Sequence, residues 1–176
     1  MSKQRIFILD GPDGCGKTNI GKELSRRLSI PYFKNHDEHK YFLSNPDYFV
    51  QAIRFVDTYF TSYLEQTKSS VILDRAWPSE FVYSQVLNRK TDFKILRELD
   101  KRHKELGTRI IIPVRSSYSK VNDDYQAVNE NIQKIHDLYM DFAAWSSCNV
   151  QIINVDDENL ERELSEILKE ERKNEH

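Results

Sequence analysis

One short stretch limits what this chain can fold into more than any other. Gly11-Pro12-Asp13-Gly14-Cys15-Gly16-Lys17-Thr18 fills every fixed position of the pattern G-x-x-x-x-G-K-[ST]. Such a loop needs a strand before it and a helix after it. Arg5 to Leu9 supplies the apolar strand, and Lys17 to Leu28 places Ile20, Leu24 and Leu28 at four-residue spacing, as one face of a helix. Glycines let the backbone curl so that successive N–H groups point at one phosphate, and a helix starting after Gly16 presents its positive dipole end there. Lys17 is the mobile charge for the outer phosphates, and the Thr18 hydroxyl suits a magnesium ion. Gly11, Gly14, Cys15, Gly16, Lys17 and Thr18 are therefore expected to hold a nucleoside triphosphate, with ATP and Mg²⁺ the natural pair.

The rest of the chain extends the same alternation. Ile30 to Phe33, Val71 to Leu73, Arg109 to Val114 and Val150 to Val155 read as buried strands, rich in Ile and Val and without polar alternation. Helical patterns run from about Pro46 to Lys68, Pro78 to Leu87, Asp92 to Leu106, Gln126 to Trp145 and Glu158 to Lys173, with Gly107 closing the third of these. Strands alternating with helices predict parallel βαβ units, a five-stranded parallel sheet in a three-layer α/β sandwich. At 176 residues, without repeats or a Gly/Pro/Ser-rich linker, one domain over 1–176 is expected. The final helix carries Leu160, Leu164, Ile167 and Leu168 on one stripe, the pattern of packing on the sheet. Charge is balanced, 26 Lys+Arg against 28 Asp+Glu, which argues against a protein that coats duplex DNA by charge alone. No apolar run reaches the roughly 18 residues of a membrane span. Two cysteines, Cys15 and Cys148, make no disulfide framework, and the N-terminus lacks a leader pattern, so a cytoplasmic setting is expected.

Further residues carry chemistry. Asp13 places a carboxylate beside a polyphosphate, which suits contact with a sugar hydroxyl or simple stabilisation of the turn. The strand Val71-Ile72-Leu73 ends in Asp74-Arg75, with Ser79 and Tyr83 following. These blocks resemble the thymidylate kinases, whose loop keeps an acidic residue at the Asp13 position and whose third strand ends in Asp-Arg, with a Ser and an aromatic beyond. Arg54, twenty residues before Asp74, matches the family's pyrimidine-reading Arg, and the stretch from Asp124 to Asp156 with Tyr139 is similar to the family's last third. The resemblance implies the P-loop nucleotide kinase fold and transfer of the ATP γ-phosphoryl group to a pyrimidine deoxynucleotide. In that reading Lys17, Asp74, Arg75, Asp13 and Arg115 are catalytic, Thr18 and Asp74 hold the metal, and Asp13, Lys34, Glu38, Arg54 and Tyr83 bind the acceptor. A homodimer also fits.

The chain departs from the family pattern where the family has an Arg-rich lid. Here Arg115 to Lys120 offers one Arg and one Lys, position 14 is Gly rather than Arg, and an open, polar lid of about residues 115–124 is expected. Water would then be poorly excluded, and acceptors bulkier than a free nucleotide, including hydroxymethyluracil within DNA, would fit. Glu38 discriminates the chemistries, because a hydroxyl acceptor needs a base and a phosphate acceptor does not. A nucleotide-binding protein of low turnover is the third alternative. His36 and His39 lack a third ligand for zinc, Trp77 suits either the core or an acceptor wall, and Phe49, Phe55 and Tyr83 are candidates to stack on a base. The run Lys101-Arg102-His103-Lys104 is expected to be a solvated helix face.

Overall fold

The computed structural model describes residues 3–34, 46–119, 121 and 126–173. Five strands, β1 (Ile6–Leu9), β2 (Tyr32–Lys34), β3 (Val71–Asp74), β4 (Arg109–Val114) and β5 (Asn149–Asn154), form one parallel sheet in the order β2-β3-β1-β4-β5. Among the described residues, α1 (Lys17–Leu28), α2 (Pro46–Thr67), α3 (Trp77–Val86), α4 (Phe93–Glu105) and α5 (Gln126–Trp145) lie between the strands, and α6 (Leu160–Lys173) follows β5. Parallel neighbours cannot be joined by hairpins, so each connection crosses the sheet and carries a helix with it.

Alternation along the strands divides the core in two. Phe7, Leu9, Ile72, Ile111 and Ile153 pack with Ile20, Leu24, Leu164 and Ile167 of α1 and α6. Ile6, Ile8, Val71, Leu73, Ile110 and Ile112 pack on the opposite side with Leu64, Val82, Leu96, Ile135 and Phe142. The three inner strands are buried throughout, whereas β2 and β5 expose residues, as edges of a sheet must. The second strand begins at Tyr32 rather than Ile30 because Pro31 has no N–H to give; its carbonyl accepts from Ile72 instead, at 2.9 Å. Trp77 is fully buried against Phe142 and Trp145, which assigns it to the core.

The end of α4 corrects one expectation. His103 is buried, not solvated, with Nε2 3.1 Å from Thr61 Oγ1 and Nδ1 2.9 Å from Thr108 Oγ1. Arg102 beside it reaches back to Glu65 at 2.7 Å. The helix ends as the sequence indicates, with Gly107 at φ 68 and the N–H groups of Gly107 and Thr108 returning to Lys104 and His103. None of the described helices is long and apolar enough to cross a membrane.

Candidate functional site

The chain runs from β1 out to the edge at β2, back to β3, then across to β4, so the strand order reverses around β1. Ligands of open α/β sheets bind at the carboxyl ends of strands where such a reversal leaves a crevice. The loop from Gly11 to Gly16 fills that position. At Gly14, φ is 74 and an added Cβ would stand 2.7 Å from Cγ2 of Val121, so the position tolerates no side chain. The Gly at this position thus reflects both its left-handed backbone and what packs above it.

Lys17 folds back over the loop and donates to the carbonyls of Gly11 (2.9 Å) and Pro12 (2.7 Å). Burial, reinforced by the nearby Arg75 charge, brings its ammonium pKa down to about 8. Thr18 and Tyr32 both donate to Oδ2 of Asp74, each at 2.6 Å. Arg75 is mostly buried and sits at φ 68, a left-handed conformation that an L side chain adopts at a cost of about 1–2 kcal/mol. Its guanidinium pairs with Asp13, lies 3.1 Å from Ser79 Oγ and 3.6 Å from Asp10, and faces the Tyr83 ring. Tyr83 donates its hydroxyl to the other oxygen of Asp13. Burial works against the Asp13 charge, but Arg75 and Lys17 outweigh it and hold the carboxyl below its usual range. Asp13 is thus part of a charged network, beyond any service to the turn.

Asp13, Gly14, Cys15, Gly16, Lys17, Thr18, Lys34, Asp74 and Arg75 line one pocket, joined by Asn19, which the motif did not single out. Tyr83 enters through Asp13, and Gly11 contributes its carbonyl to Lys17. Arg54 pairs with Asp92 at 3.6 Å, in front of α4, and is not among the lining residues of this pocket. Arg115 touches the loop from its carbonyl side. It donates to Gly14 O (3.0 Å) and Val155 O (3.3 Å) and pairs with Glu158 at 3.0 Å. That placement makes it a brace of the loop. Phe55 projects into solvent, stacked on Tyr59, away from the pocket. Glu38, the pair His36 and His39, Lys120 and the side chain of Phe49 lie outside the described residues.

The described part of the segment after β4 is less open than its composition suggests. Tyr118 is buried in the α1/α6 side of the core, its hydroxyl accepting from the Arg115 N–H at 3.2 Å, and Val121 seats on Gly14. One tyrosine and one valine among serines are enough to anchor the chain onto the loop.

Two residues that sequence reasoning missed organise the site. Asp10 is fully buried and accepts from the N–H groups of Gly11, Ala76 and Ser79, the Ser79 hydroxyl and the Tyr139 hydroxyl. It ties the start of the loop to the start of α3, and its signal was an acidic residue closing an all-apolar strand. Tyr32 is the other; nothing in its local sequence marks it. The donor set of Thr18 and Asp74, a hydroxyl beside a carboxylate, suits Mg²⁺, which keeps waters and takes phosphate oxygens as further ligands. Among the described residues no three His, Cys, Asp or Glu side chains gather as an all-protein metal site.

The sheet order, the loop at the reversal point and the helix that follows it are those of the P-loop nucleotide kinase fold. No family model and no curated protein matches the chain. Among solved structures it is similar to the YorR protein from Bacillus subtilis in complex with phosphorylated GDP, with a TM-score of 0.69 at 19% identity, covering 97% of this chain and 98% of that one. A thymidylate kinase from Ehrlichia chaffeensis gives 0.68 at 16% identity over 96% and 98% of the two chains. A deoxyadenosine kinase from M. mycoides gives 0.60 at 18% over 96% and 99%.

Proposed function

We propose that the chain is a kinase that moves the γ-phosphoryl group of ATP, with Mg²⁺, to a pyrimidine deoxynucleotide in the cytoplasm. The observation that carries this reading is the convergence of Lys17, Asp13 and Arg75 on one pocket, a phosphate-type loop whose Asp13 carboxylate is paired with a buried arginine. The loop N–H groups and Lys17 hold the donor phosphates. Thr18 and Asp74 would hold Mg²⁺, which when bound offsets the charge of the phosphate oxygens. Arg75, fixed by Asp13, Asp10 and Ser79, steadies the group in transit; Asp13, once an acceptor arrives, offers its carboxylate to a sugar hydroxyl, with Tyr83 as its hydrogen-bond partner. Lys34, at the rim of the pocket, adds a cation for the acceptor phosphate. Arg54 stands ready to read the base only by leaving Asp92, and Arg115 supports the loop rather than the phosphates.

The test is incubation of the protein with labelled ATP and a panel of deoxynucleoside monophosphates, nucleosides and duplex DNA carrying hydroxymethyluracil. Label on a pyrimidine monophosphate is the expected result. Label on a nucleoside or on DNA would replace the acceptor, and a loss of more than about a thousandfold in turnover on Glu38→Ala would identify a hydroxyl acceptor with Glu38 as its base. No label anywhere, with ATP still bound, would leave a nucleotide-binding protein. We further infer that the active form is a homodimer paired through the outer face of α2. Phe55 (72% exposed), Tyr59 (65%) and Tyr63 (44%) recur there at four-residue spacing. Of the charges in and beside this stretch, Arg54 pairs with Asp92 and Glu65 with Arg102, while Asp57 is buried.

A further inference from the structure

Tyr32 reaches the site by a route that needs two unrelated parts of the chain. It belongs to the edge strand β2, where it pairs with Ile72. Side chains alternate along a strand, so Tyr32 and Lys34 share a face while Phe33 takes the other and stacks on Phe60 of α2. The Tyr32 ring lies beneath α1 at Gly21. A Cβ on Gly21 would stand 2.7 Å from Cε2 of that ring, 3.1 Å from its Cδ2 and 2.7 Å from Cδ1 of Leu9, so glycine there leaves room for both the ring and the core leucine. At its far end the hydroxyl meets Oδ2 of Asp74 at 2.6 Å, the same oxygen that accepts from Thr18 at 2.6 Å. Asp74 is only 2% exposed, so protein donors rather than solvent fix the direction of its carboxylate.

We propose that Tyr32 is a positioning residue for the metal pair: with Gly21 as its clearance, it orients the Asp74 carboxylate so that the Thr18 hydroxyl and Asp74 face one Mg²⁺ together. The inference rests on the kinase reading above. Donors that orient a ligating or water-holding carboxylate tune metal affinity by about 10–100-fold, while leaving the ligands themselves in place. A defect in Tyr32 should therefore show in the metal dependence of the protein and not in its affinity for the nucleotide base or for the acceptor.

The experiment is a titration of the full chain with Mn²⁺, followed by electron paramagnetic resonance, in the presence of a non-hydrolysable ATP analogue. Tyr32→Phe keeps the ring and removes only the hydroxyl. It is expected to weaken Mn²⁺ binding by about tenfold, to raise the Mg²⁺ concentration for half-maximal turnover by a similar factor, and to keep kcat at saturating Mg²⁺ within about threefold. Gly21→Ala, which presses on the ring and on Leu9 of the core but leaves every hydroxyl present, should reproduce the metal defect; a melting curve separates that defect from lost packing at Leu9. Equal Mn²⁺ affinity for wild type and Tyr32→Phe would overturn the proposal. So would a Tyr32→Phe protein whose loss lies wholly in kcat at saturating metal. If the wild type shows no nucleotide-dependent Mn²⁺ binding, the kinase reading fails and takes this inference with it.

Discussion

At the scale of single residues, the candidate site is a set of charges that hold one another. Lys17→Ala is expected to lower transfer by at least about 10²–10³-fold because it removes charge from the transferring group, with the protein still folded although the Gly11 and Pro12 carbonyls lose a buried donor. The native lysine also predicts a pH dependence. With its pKa at about 8 in the free protein, Lys17 is charged below that pH and neutral above it, so ATP affinity should fall as pH rises past about 8. Calorimetric titration between pH 7 and 9.5 checks this, and Lys17→Ala should remove the dependence. Asp13→Ala should raise the KM for the acceptor more than it lowers kcat. The residues of the loop, and Asp74 with Arg75, were legible in the sequence because fixed spacing and residue type carry their chemistry. Asp10 and Tyr32 were not. Asp10 acts through backbone N–H groups of α3 brought to it by the fold, and Tyr32 meets Asp74 only through the register of β2 on β3.

At the scale of elements, burial of polar groups sets the prediction. His103 joins α4 to α2 through Thr61 and to the start of β4 through Thr108. Burial pushes its pKa down to about 4. The unfolded chain takes up a proton below about pH 6.5, the folded chain only near 4, so stability should fall as pH drops through that window, by roughly 3 kcal/mol from this group. Chemical denaturation at several pH values checks it: a His103→Gln protein should lose less over the same range, since the carboxylates titrate alike in both. Element types were readable from apolar periodicity along the chain, as at Ile20 and Leu24, because core burial imposes it. The solvated face expected at Lys101 to Lys104 failed at His103, since a run of basic letters does not show which one points inward.

For the whole molecule, the alternation of strands and helices foretold a parallel sheet but not the order β2-β3-β1-β4-β5, which depends on contacts far apart in sequence. Pairing through α2 should make the protein a dimer in sedimentation, and Tyr59→Arg should shift it to monomer by placing a charge in the middle of the exposed aromatic face. A monomeric wild type would refute the pairing. The contact of Val121 with Gly14 has a consequence for anyone exchanging parts between proteins of this fold. The loop and the segment after β4 are one unit of inheritance: a loop with a side chain at position 14 cannot be grafted here alone. Gly14→Arg should cripple nucleotide binding in the native background, and shortening Val121 to Gly should restore only part of it, because the left-handed backbone at position 14 still strains a side chain.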